Sequence, residues 1–340
     1  MISKEKIGHI FMLNRRYRGC KISTINSYLP ECKLTNSDLE SEFPDFFAKK
    51  IKSKVGIESR HIASKKETAL DLAKNAIKKL FSNKPEAKEA DFLIFCTQSP
   101  EYFLPSGACI LQHYMGMRTD IGAFDYNLGC SGFVYGLAMA KSLIQSAMAN
   151  KVLIVTSETY TKYISKSDKG NRSIFGDAAT ATLIECCEEN SIDNFIFGTD
   201  GSGAENLIVK NGAMHSPKDS SAGDFLYMNG PEIFNFTIEK VPELCQKVLQ
   251  KGNLTKDDID YFCFHQANKY MLDYLRIKSE LPEEKFYIDM SDTGNTVSSS
   301  IPLLLEKMAK KNFLNTPKKI LLAGFGVGYS YAGCTIDLSL

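Results

Sequence analysis

The sequence predicts an α/β protein made of two similar halves. Apolar runs rich in Val, Ile and Phe alternate with segments of helical periodicity, which is typical of strands buried between helices. These runs fall into two series of five, with helices at matching places, and this arrangement indicates a diverged structural repeat. A chain of 340 residues of which 44% are hydrophobic can fill the cores of two such halves.

The predicted elements follow the chain in order. The first series of strands covers residues 21–26, 92–97, 123–127, 152–157 and 180–185. The second covers 194–198, 261–264, 286–289, 320–323 and 333–338. The main predicted helices are 131–149, 232–249, 269–279 and 299–311. A seam near 187–191 divides the chain into an N-terminal extension over 1–19, a first half over 20–188 and a second half over 189–340.

Two segments lie outside this pattern. Residues 201–230 are polar and rich in Gly, Ser and Asn, and we expect them to cover a site; a simple surface insertion is the alternative. The extension carries Arg15, Arg16 and Arg18, which could bind an acidic partner. An accessory tail without a catalytic part is the favoured interpretation of that segment.

Composition excludes several classes of protein. Lys and Arg total 41 against 40 Asp and Glu, so no strong field would attract nucleic acid or an acidic membrane. The ten cysteines form no CxxC pairs, which favours a reducing cytoplasm. No apolar stretch approaches the roughly 20 residues that cross a bilayer, and the N-terminus lacks the apolar core of a signal peptide. We therefore expect a cytoplasmic protein without a membrane or nucleic-acid partner.

Cys130 is the first candidate catalytic residue. It lies in the sequence NLGCSGF (127–133), between a predicted strand and an Ala-rich helix. The N–H groups of a helix N-terminus favour negative charge, so a thiol there is biased toward the nucleophilic thiolate. The flanking Gly129 and Gly132 leave room for a substrate. A buried structural cysteine is the ordinary interpretation for any one of ten, and this position favours a nucleophile instead.

His265 and Asn295 are the second and third candidates. His265 opens HQAN (265–268) after one predicted strand, and Asn295 lies in DTGNT (292–296) after the next. Strand carboxyl ends are where α/β proteins gather their chemistry. Each residue alone is weak, because a single His is often structural and a Gly-Asn pair often forms a turn. Together with Cys130 they supply a thiol, an imidazole and an amide, which is a catalytic set.

Other site types fit the sequence less well. Papain-like proteases also use Cys, His and Asn, but their nucleophile lies near the mature N-terminus in a different context, and this chain has no Trp. The sequence contains no GxxxxGK(S/T), no GxGxxG after a first strand and no HExxH, so no nucleotide cofactor or metal is predicted. The glycine loop 324–328 lies too near the C-terminus to open a dinucleotide-binding unit.

An ordered series of motifs extends from about Cys20 to Leu340. These motifs are SYLP (27–30) with LTN (34–36), GIESRHIA (56–63), CSGF (130–133), FGD (175–177), MNG (228–230), HQAN (265–268), GNT (294–296) and the loop 324–328. In content and order they resemble the beta-ketoacyl-ACP synthase III family of the thiolase-like superfamily.

The resemblance implies a duplicated five-layered α-β-α-β-α core, usually in a homodimer. It implies that Cys130 takes an acyl group from a thioester and that malonyl-ACP binds next. His265 and Asn295 would stabilise the enolate formed on loss of carbon dioxide, and the enolate would attack the acyl-cysteine. Backbone N–H groups of Cys130 and Gly328 would form the oxyanion hole. The reaction would need no cofactor, with CoA or phosphopantetheine thioesters as substrates.

The resemblance also assigns binding residues. The residues expected to contact the substrate are Leu104, Phe175, Met228, Phe234 and Asn268. Lys269, Arg276 and Lys278 form a basic cluster on one predicted helix, and we expect it to dock the acidic acyl carrier protein (ACP). A solvated helix face is the alternative interpretation of that cluster.

The chain departs from the family where CoA is usually held. Lys50 stands near the position of an adenine-stacking Trp, and Lys54, Lys162 and Tyr270 stand where Arg is common. Val327 replaces one glycine of a usual triple run. Because an ammonium does not bind phosphate as a guanidinium does, an acyl-ACP primer becomes an alternative to acyl-CoA.

Three functions remain open from the sequence. Decarboxylative condensation is favoured, because an enolate site with two donors is unnecessary for simple acyl transfer. Transfer of the acyl group from Cys130 to an oxygen or nitrogen nucleophile is the second. A catalytically silent subunit that only binds acyl-ACP is the third, and the intact Cys130 argues against it.

Overall fold

The computed structural model describes residues 18–215 and 225–340. Its strands are β1 (Gly19–Tyr28), β2 (Lys33–Thr35), β3 (Ser59–His61), β4 (Phe92–Cys96), β5 (Gly122–Tyr126), β6 (Lys151–Glu158), β7 (Ala178–Cys187), β8 (Ile192–Thr199), β9 (Leu207–Ile208), β10 (Tyr227–Met228), β11 (Tyr261–Phe264), β12 (Lys318–Gly326) and β13 (Ser330–Leu338). Its α-helices are α1 (Asn36–Glu42), α2 (Ala48–Val55), α3 (Ala69–Asn83), α4 (Gly107–Tyr114), α5 (Gly132–Gln145), α6 (Lys169–Arg172), α7 (Gly230–Lys251), α8 (Lys269–Lys278) and α9 (Ser300–Lys310).

Two sheets with matching strand orders form the centre of the molecule. The first has the order β1-β7-β6-β4-β5 and the second has the order β8-β13-β12-β11. In the first sheet β4 is parallel to both β5 and β6, and in the second β11 is parallel to β12. The next two pairs are antiparallel, β6–β7 and β7–β1 in the first sheet, and β12–β13 and β13–β8 in the second. This correspondence is the repeat that the sequence predicts.

Residues 286–289 do not form the predicted fifth strand of the second half. Phe286 makes a single parallel bridge to Phe262 at the edge of β11. Further along, the Asp289 N–H donates to the side-chain Oε1 of Gln266 at 3.0 Å. A side chain therefore takes the backbone donor that a continuous ladder would need, and the pairing ends after one bridge. The segment nevertheless occupies the place in the second half that β5 occupies in the first.

The elements stack in five layers. Buried side chains of α3 and α4 pack on the outer face of the first sheet. Helices α5 and α9 lie between the two sheets and share one apolar core with both. Helices α7 and α8 cover the outer face of the second sheet. Each sheet is thus buried on both faces, which explains why its strands read as nearly continuous apolar runs.

The start of the described chain is fixed to the core. Strand β1 begins at Gly19, one residue before the predicted start of the first half. The Arg18 guanidinium donates to the carbonyls of Ile144 and Ala149 at 2.9 and 3.1 Å. Helix α5 ends at Gln145, earlier than predicted, and Arg18 satisfies carbonyl groups around that end. Arg15 and Arg16 lie outside the described residues.

Side-chain caps set the start of the two helices beside the site. The Asn229 side chain caps α7 by accepting from the Glu232 N–H, and a proline occupies the first turn. The Asn268 side chain caps α8 by accepting from the Met271 N–H at 2.9 Å. Asn is a favoured N-cap residue because its oxygen satisfies a helix N–H that has no partner in the helix. These caps fix where Asn268 and the first turn of α7 lie.

The polar segment 201–230 contributes to the wall of a cavity, as described below, and its residues 216–224 lie outside the described chain. Within residues 18–215 and 225–340, no helix is long and apolar enough to cross a membrane. In the same two ranges, no group of three or more His, Cys, Asp or Glu side chains is arranged to hold a metal ion.

Candidate active site

One cavity brings together the three candidate catalytic residues. It has a volume of about 170 Å³, and Cys130, His265 and Asn295 all line it. The three side chains are nearly fully buried, with exposed fractions of 7%, 2% and 5%. Cys130 comes from the first half of the chain and the other two come from the second. The site therefore exists only where the halves meet.

The turn between β5 and α5 holds Cys130. The Tyr126 hydroxyl at the end of β5 donates to the Gly132 carbonyl at 2.8 Å and ties the strand to the helix start. Strand β12 of the other half passes directly against this turn. A Cβ on Gly326 would lie 2.9 Å from Cys130 Sγ, and one on Gly324 would lie 2.7 Å from the Cys130 carbonyl oxygen. Glycine at both positions is what allows this close approach.

The thiolate expected from the position of Cys130 is not the favoured form in the free protein. Burial raises the pKa of the Cys130 thiol to about 12, and the nearby Glu158 carboxylate adds to the rise. The Cys130 backbone N–H lowers the pKa, as expected at a helix start, but its effect is smaller. Desolvation and a like charge outweigh the helix terminus, so Cys130 rests as a neutral thiol.

Glu158 is a buried carboxyl group that the sequence interpretation missed. It is the last residue of β6 and has no exposed surface. It accepts hydrogen bonds from the Ser298 and Ser99 hydroxyls at 2.8 and 2.9 Å and from the Gln98 N–H. Burial raises the pKa of Glu158 to about 8 despite these donors, and the Asp177 charge raises it further. The position of an acid at the carboxyl end of a predicted strand was the available signal.

The His265 ring is fixed by Ser300. His265 Nδ1 lies 2.6 Å from Ser300 Oγ, and the ring meets Phe325 edge-on with centroids 5.6 Å apart. Burial lowers the pKa of His265 to about 3, so the imidazole is neutral. A neutral ring carries one N–H, and a Ser300 hydroxyl that donates to Nδ1 leaves that N–H on Nε2. In this tautomer His265 is a hydrogen-bond donor without charge.

Asn295 is held by both its backbone and its side chain. Its N–H donates to the Ile174 carbonyl at 2.9 Å, and its carbonyl accepts from the Gly176 N–H at 3.0 Å. The side-chain Oδ1 accepts from the Val297 N–H at 2.9 Å. The hydrogen bond from the Val297 N–H fixes the orientation of the amide, whose NH₂ group is the hydrogen-bond donor.

The other predicted substrate contacts divide into two groups. Phe175, Met228 and Asn268 line the cavity with the catalytic residues. Among the described residues that line it, neither Phe234 nor Leu104 is found. Phe234 stacks on Tyr270 with ring centroids 5.6 Å apart, and Leu104 is 81% exposed on the surface. Phe234 packs between α7 and α8 and Leu104 faces solvent, so their contact with the substrate stays a prediction.

Gly328 lies farther along the glycine loop than the thiol. The lining of the cavity, taken over the described chain, includes Gly326 but not Gly328. Gly328 has a φ of 137°, which suits glycine in the turn between β12 and β13. Its part in an oxyanion hole stays a prediction.

The residues that replace the usual CoA-binding arginines are engaged within the chain. The Lys54 ammonium lies over the Tyr270 ring, 5.7 Å from its centroid. The Lys162 ammonium donates to the backbone carbonyl of Glu67. Contacts of this kind hold each cation in place. Both side chains are exposed, and each ammonium already has a partner within the chain.

Acidic neighbours accompany the predicted docking cluster on α8. Lys269 pairs with Asp273 at 2.5 Å, and Arg276 pairs with Glu283 at 3.2 Å. Lys278 is exposed and makes no salt bridge to any residue the structure describes. The cluster is therefore less positive than its three cations suggest.

Two family models match the chain. The model of the 3-oxoacyl-[acyl-carrier-protein (ACP)] synthase III family matches residues 124–201, and the model of its C-terminal part matches residues 249–338. The beta-ketoacyl-[acyl-carrier-protein] synthase III of Streptococcus uberis is 36% identical over 323 residues, which cover 94% of this chain and 99% of that protein.

Solved structures agree with these matches. A crystal structure of a 3-oxoacyl-(acyl-carrier-protein) synthase III superposes with a TM-score of 0.91 at 45% identity, covering 94% of this chain and 100% of the other. The priming beta-ketosynthase of the R1128 polyketide biosynthetic pathway superposes with a TM-score of 0.89 at 27% identity, covering 95% and 97%.

Proposed function

This chain belongs to the beta-ketoacyl-ACP synthase III family, and we propose that it condenses an acyl thioester with malonyl-ACP through an acyl-Cys130 intermediate. The observation that carries the proposal is the cavity that Cys130, His265 and Asn295 line together. A thiol of one half shares this cavity with a neutral imidazole and an amide of the other half, which supports the proposed roles of nucleophile and donors.

In the first step the Cys130 sulfur attacks the thioester carbonyl of the primer. The bond from sulfur to the acyl carbon forms, the bond to the carrier sulfur breaks, and the thiol proton leaves with the carrier thiol. The product is a neutral thioester at Cys130. The pKa of about 12 shows that the buried site disfavours a thiolate, and the thioester at Cys130 carries no charge.

In the second step malonyl-ACP loses carbon dioxide. The electron pair of the broken carbon–carbon bond becomes an enolate, and negative charge develops on the thioester oxygen. His265 Nε2–H and the Asn295 NH₂ group are the donors placed to stabilise that oxygen. The enolate carbon then attacks the acyl-cysteine, and the released Cys130 thiolate takes up a proton. These steps use side chains alone and need no cofactor.

The second candidate function is acyl transfer from Cys130 to an oxygen or nitrogen nucleophile. It would use the same acyl-enzyme. The buried amide of Asn295, with Oδ1 occupied by the Val297 N–H, favours condensation because its remaining NH₂ donor suits an enolate oxygen.

We propose acyl-ACP as the preferred primer carrier. Lys54 is placed over Tyr270 and Lys162 is bound to a carbonyl, so two cations near the expected CoA site already have partners. An acyl-ACP offers the same pantetheine arm together with a protein interface, which compensates for the weak nucleotide contacts.

We also propose that the protein is a homodimer formed through β5. This strand lies at the edge of the first sheet, where its outer side lacks a neighbouring strand among the described residues. An apolar groove beside it is lined by Phe124, Tyr135, Met139 and Phe197. An exposed sheet edge next to an apolar groove suits pairing with a second copy. A reducing cytoplasm is our proposal for its location, because all ten cysteines are free.

Mass spectrometry of the intact protein tests the function and the carrier together. The protein is mixed for a single turnover with one acyl group on ACP and on CoA at equal micromolar concentration. We expect Cys130 to gain the acyl mass faster from ACP, and added malonyl-ACP to remove it as 3-oxoacyl-ACP. No acyl mass from any donor would overturn the function. Equal or faster acylation from CoA would overturn only the carrier preference.

A further inference from the structure

Thr237 is a residue of the active-site cavity wall whose buried hydroxyl group lacks a hydrogen-bond partner among the described residues. It lies two turns into α7, has no exposed surface and lines the cavity that holds Cys130. Its Oγ1 makes no hydrogen bond to any residue within 18–215 or 225–340. A threonine hydroxyl in a helix commonly bonds the carbonyl four residues earlier, which here belongs to Ile233. Thr237 Oγ1 does not make this hydrogen bond.

A hydroxyl buried without a protein partner gains free energy from any polar group that reaches it. Burying a hydroxyl without a hydrogen bond removes its contacts with water and returns nothing. The residues that share its wall of the cavity, Ile233 on α7 and Met271 on α8, are apolar. A ligand that enters the cavity with a polar group at this depth is therefore the natural partner of Thr237 Oγ1.

The chemistry of the substrates identifies that polar group. Every CoA or ACP thioester reaches Cys130 on a phosphopantetheine arm, and the arm carries amide groups with both N–H and C=O. A hydroxyl can accept from the N–H and donate to the C=O. A hydrocarbon acyl chain offers neither, and a malonyl carboxylate would be better matched by a cation than by a neutral hydroxyl.

The position of Thr237 fits the path of the arm. Helices α7 and α8 pack on each other and form one wall of the cavity. On the first turn of α8, Asn268 faces the cavity and Tyr270 is half exposed beside Lys54. This is the region where the family resemblance puts the pantetheine arm. An arm that passes Tyr270 and Asn268 on its way to Cys130 runs along the wall that holds Thr237.

We propose that Thr237 Oγ1 binds an amide of the phosphopantetheine arm and so positions the thioester at Cys130. The inference rests on the proposed function, because it requires pantetheine thioesters as substrates. Both carriers share the arm, so the contact serves the primer, whether on CoA or ACP, and malonyl-ACP alike.

The test compares two acetyl donors in single-turnover acylation of Cys130, with and without a change at Thr237. Acetyl-CoA carries the amides, whereas S-ethyl thioacetate delivers the same acetyl group from a carrier that has none. Thr237→Val keeps the shape of the side chain and removes the hydroxyl. At subsaturating donor we expect T237V to slow acylation by acetyl-CoA about tenfold, the loss of one buried hydrogen bond. Acylation by S-ethyl thioacetate should stay at the wild-type rate.

Two variants control the experiment. Thr237→Ser keeps the hydroxyl and should restore most of the rate with acetyl-CoA. Thr182→Val removes a matched hydroxyl, because Thr182 Oγ1 on β7 is also buried without a partner among the described residues and does not line the cavity. T182V should acylate at the wild-type rate with both donors.

The ratio of the two rates decides the outcome. If T237V slows both donors equally, Thr237 acts through the shape of the site and the proposal is wrong. If it slows neither, the hydroxyl has no role in binding and the proposal is also wrong. Failure of wild-type protein to accept acetyl from either donor, or from acetyl-ACP, would instead count against the proposed function.

Discussion

Cys130 in the first half lies near buried carboxyl groups, whereas His265 and Asn295 in the second half lie among hydroxyl, amide and aromatic groups. Glu158 helps to raise the pKa of Cys130, and Asp177 in turn raises that of Glu158. In the second half the nearest partners are Ser300 Oγ at Nδ1 of His265 and the Val297 N–H at Oδ1 of Asn295.

The difference fits the charge that each half must carry. In the first half a negatively charged Cys130 sulfur is disfavoured, so the neutral acyl-cysteine is the more stable form until malonyl-ACP binds. On the second side negative charge develops on an enolate oxygen, and two uncharged donors receive it without a competing carboxylate next to them. The step that each half performs can therefore be removed by a separate substitution.

Cys130→Ala should have the largest effect. It removes the nucleophile, so acylation and condensation should fall to background, while the second half keeps its donors and should still decarboxylate malonyl-ACP. Product formation is measured by chromatography of 3-oxoacyl-ACP, and folding by thermal unfolding. Alanine at a helix start creates little strain, so the melting temperature should stay within a few degrees. Condensation at an appreciable rate by this variant would remove Cys130 from the mechanism.

Asn295→Ala should produce the reciprocal result. Cys130 should still gain an acyl group, because that step does not form the enolate. Decarboxylation of malonyl-ACP should fall by about 10²–10³-fold, the usual effect of removing one oxyanion donor. Release of carbon dioxide reports the second step and intact mass reports the first. Decarboxylation at the wild-type rate would show that the amide takes no part.

Most of the fold and the family could be predicted from the sequence, because the buried strands and ordered motifs are local features. The comparisons with known proteins confirm the family, the fold and the type of reaction. The predicted strand at 286–289 was wrong because a side chain of Gln266, distant in sequence, takes the Asp289 N–H. Local apolar pattern cannot reveal such competition.

The electrostatics of the site could not be predicted from the same local features. The helix-start rule indicates a thiolate at Cys130, but burial and Glu158 depend on segments that only the fold brings together. The same holds for Leu104, whose exposure depends on how the loop before α4 runs over the surface. The assignments of Cys130, His265 and Asn295 to their roles stay predictions, and the two variants above test those of Cys130 and Asn295.

Glu158→Gln should change how stability depends on pH. The folded-state pKa of Glu158 is raised from 4.5 to about 8, so the folded protein holds this proton more tightly. The stabilisation is fully present below pH 4.5 and is lost as pH rises through 8. Between pH 6.5 and 8 the wild type should lose roughly 2 kcal/mol of unfolding free energy from this group. E158Q should lack that loss.

Denaturant unfolding at several pH values measures this slope, and Asp177→Asn is the matched control. Burial raises the pKa of Asp177 only to about 6, so D177N should change the dependence mainly below pH 6.5. Because the Asp177 charge adds a little to the raised pKa of Glu158, the slope above pH 6.5 should weaken slightly in D177N but persist, whereas E158Q should lose it. Burial lowers the pKa of His265 to about 3, and its contribution is lost only as pH falls below 6.5. An unchanged slope in E158Q would mean that the folded protein does not raise the pKa of Glu158 and that the carboxylate is ionised across this pH range.

The smallest effect is expected from the cluster on α8. Reversing Arg276 and Lys278 to Glu should raise the KM for malonyl-ACP a few-fold and flatten its dependence on salt, because an acidic carrier would meet a repulsive surface. The effect is limited because Arg276 already pairs with Glu283. Lys247→Glu is the control, since Lys247 pairs with Glu243 on α7 outside the cluster. Steady-state kinetics at several salt concentrations compare the cluster variant with the Lys247→Glu control. Equal KM values for the cluster variant and the wild type would make this helix face ordinary solvated surface and would leave the carrier to dock elsewhere.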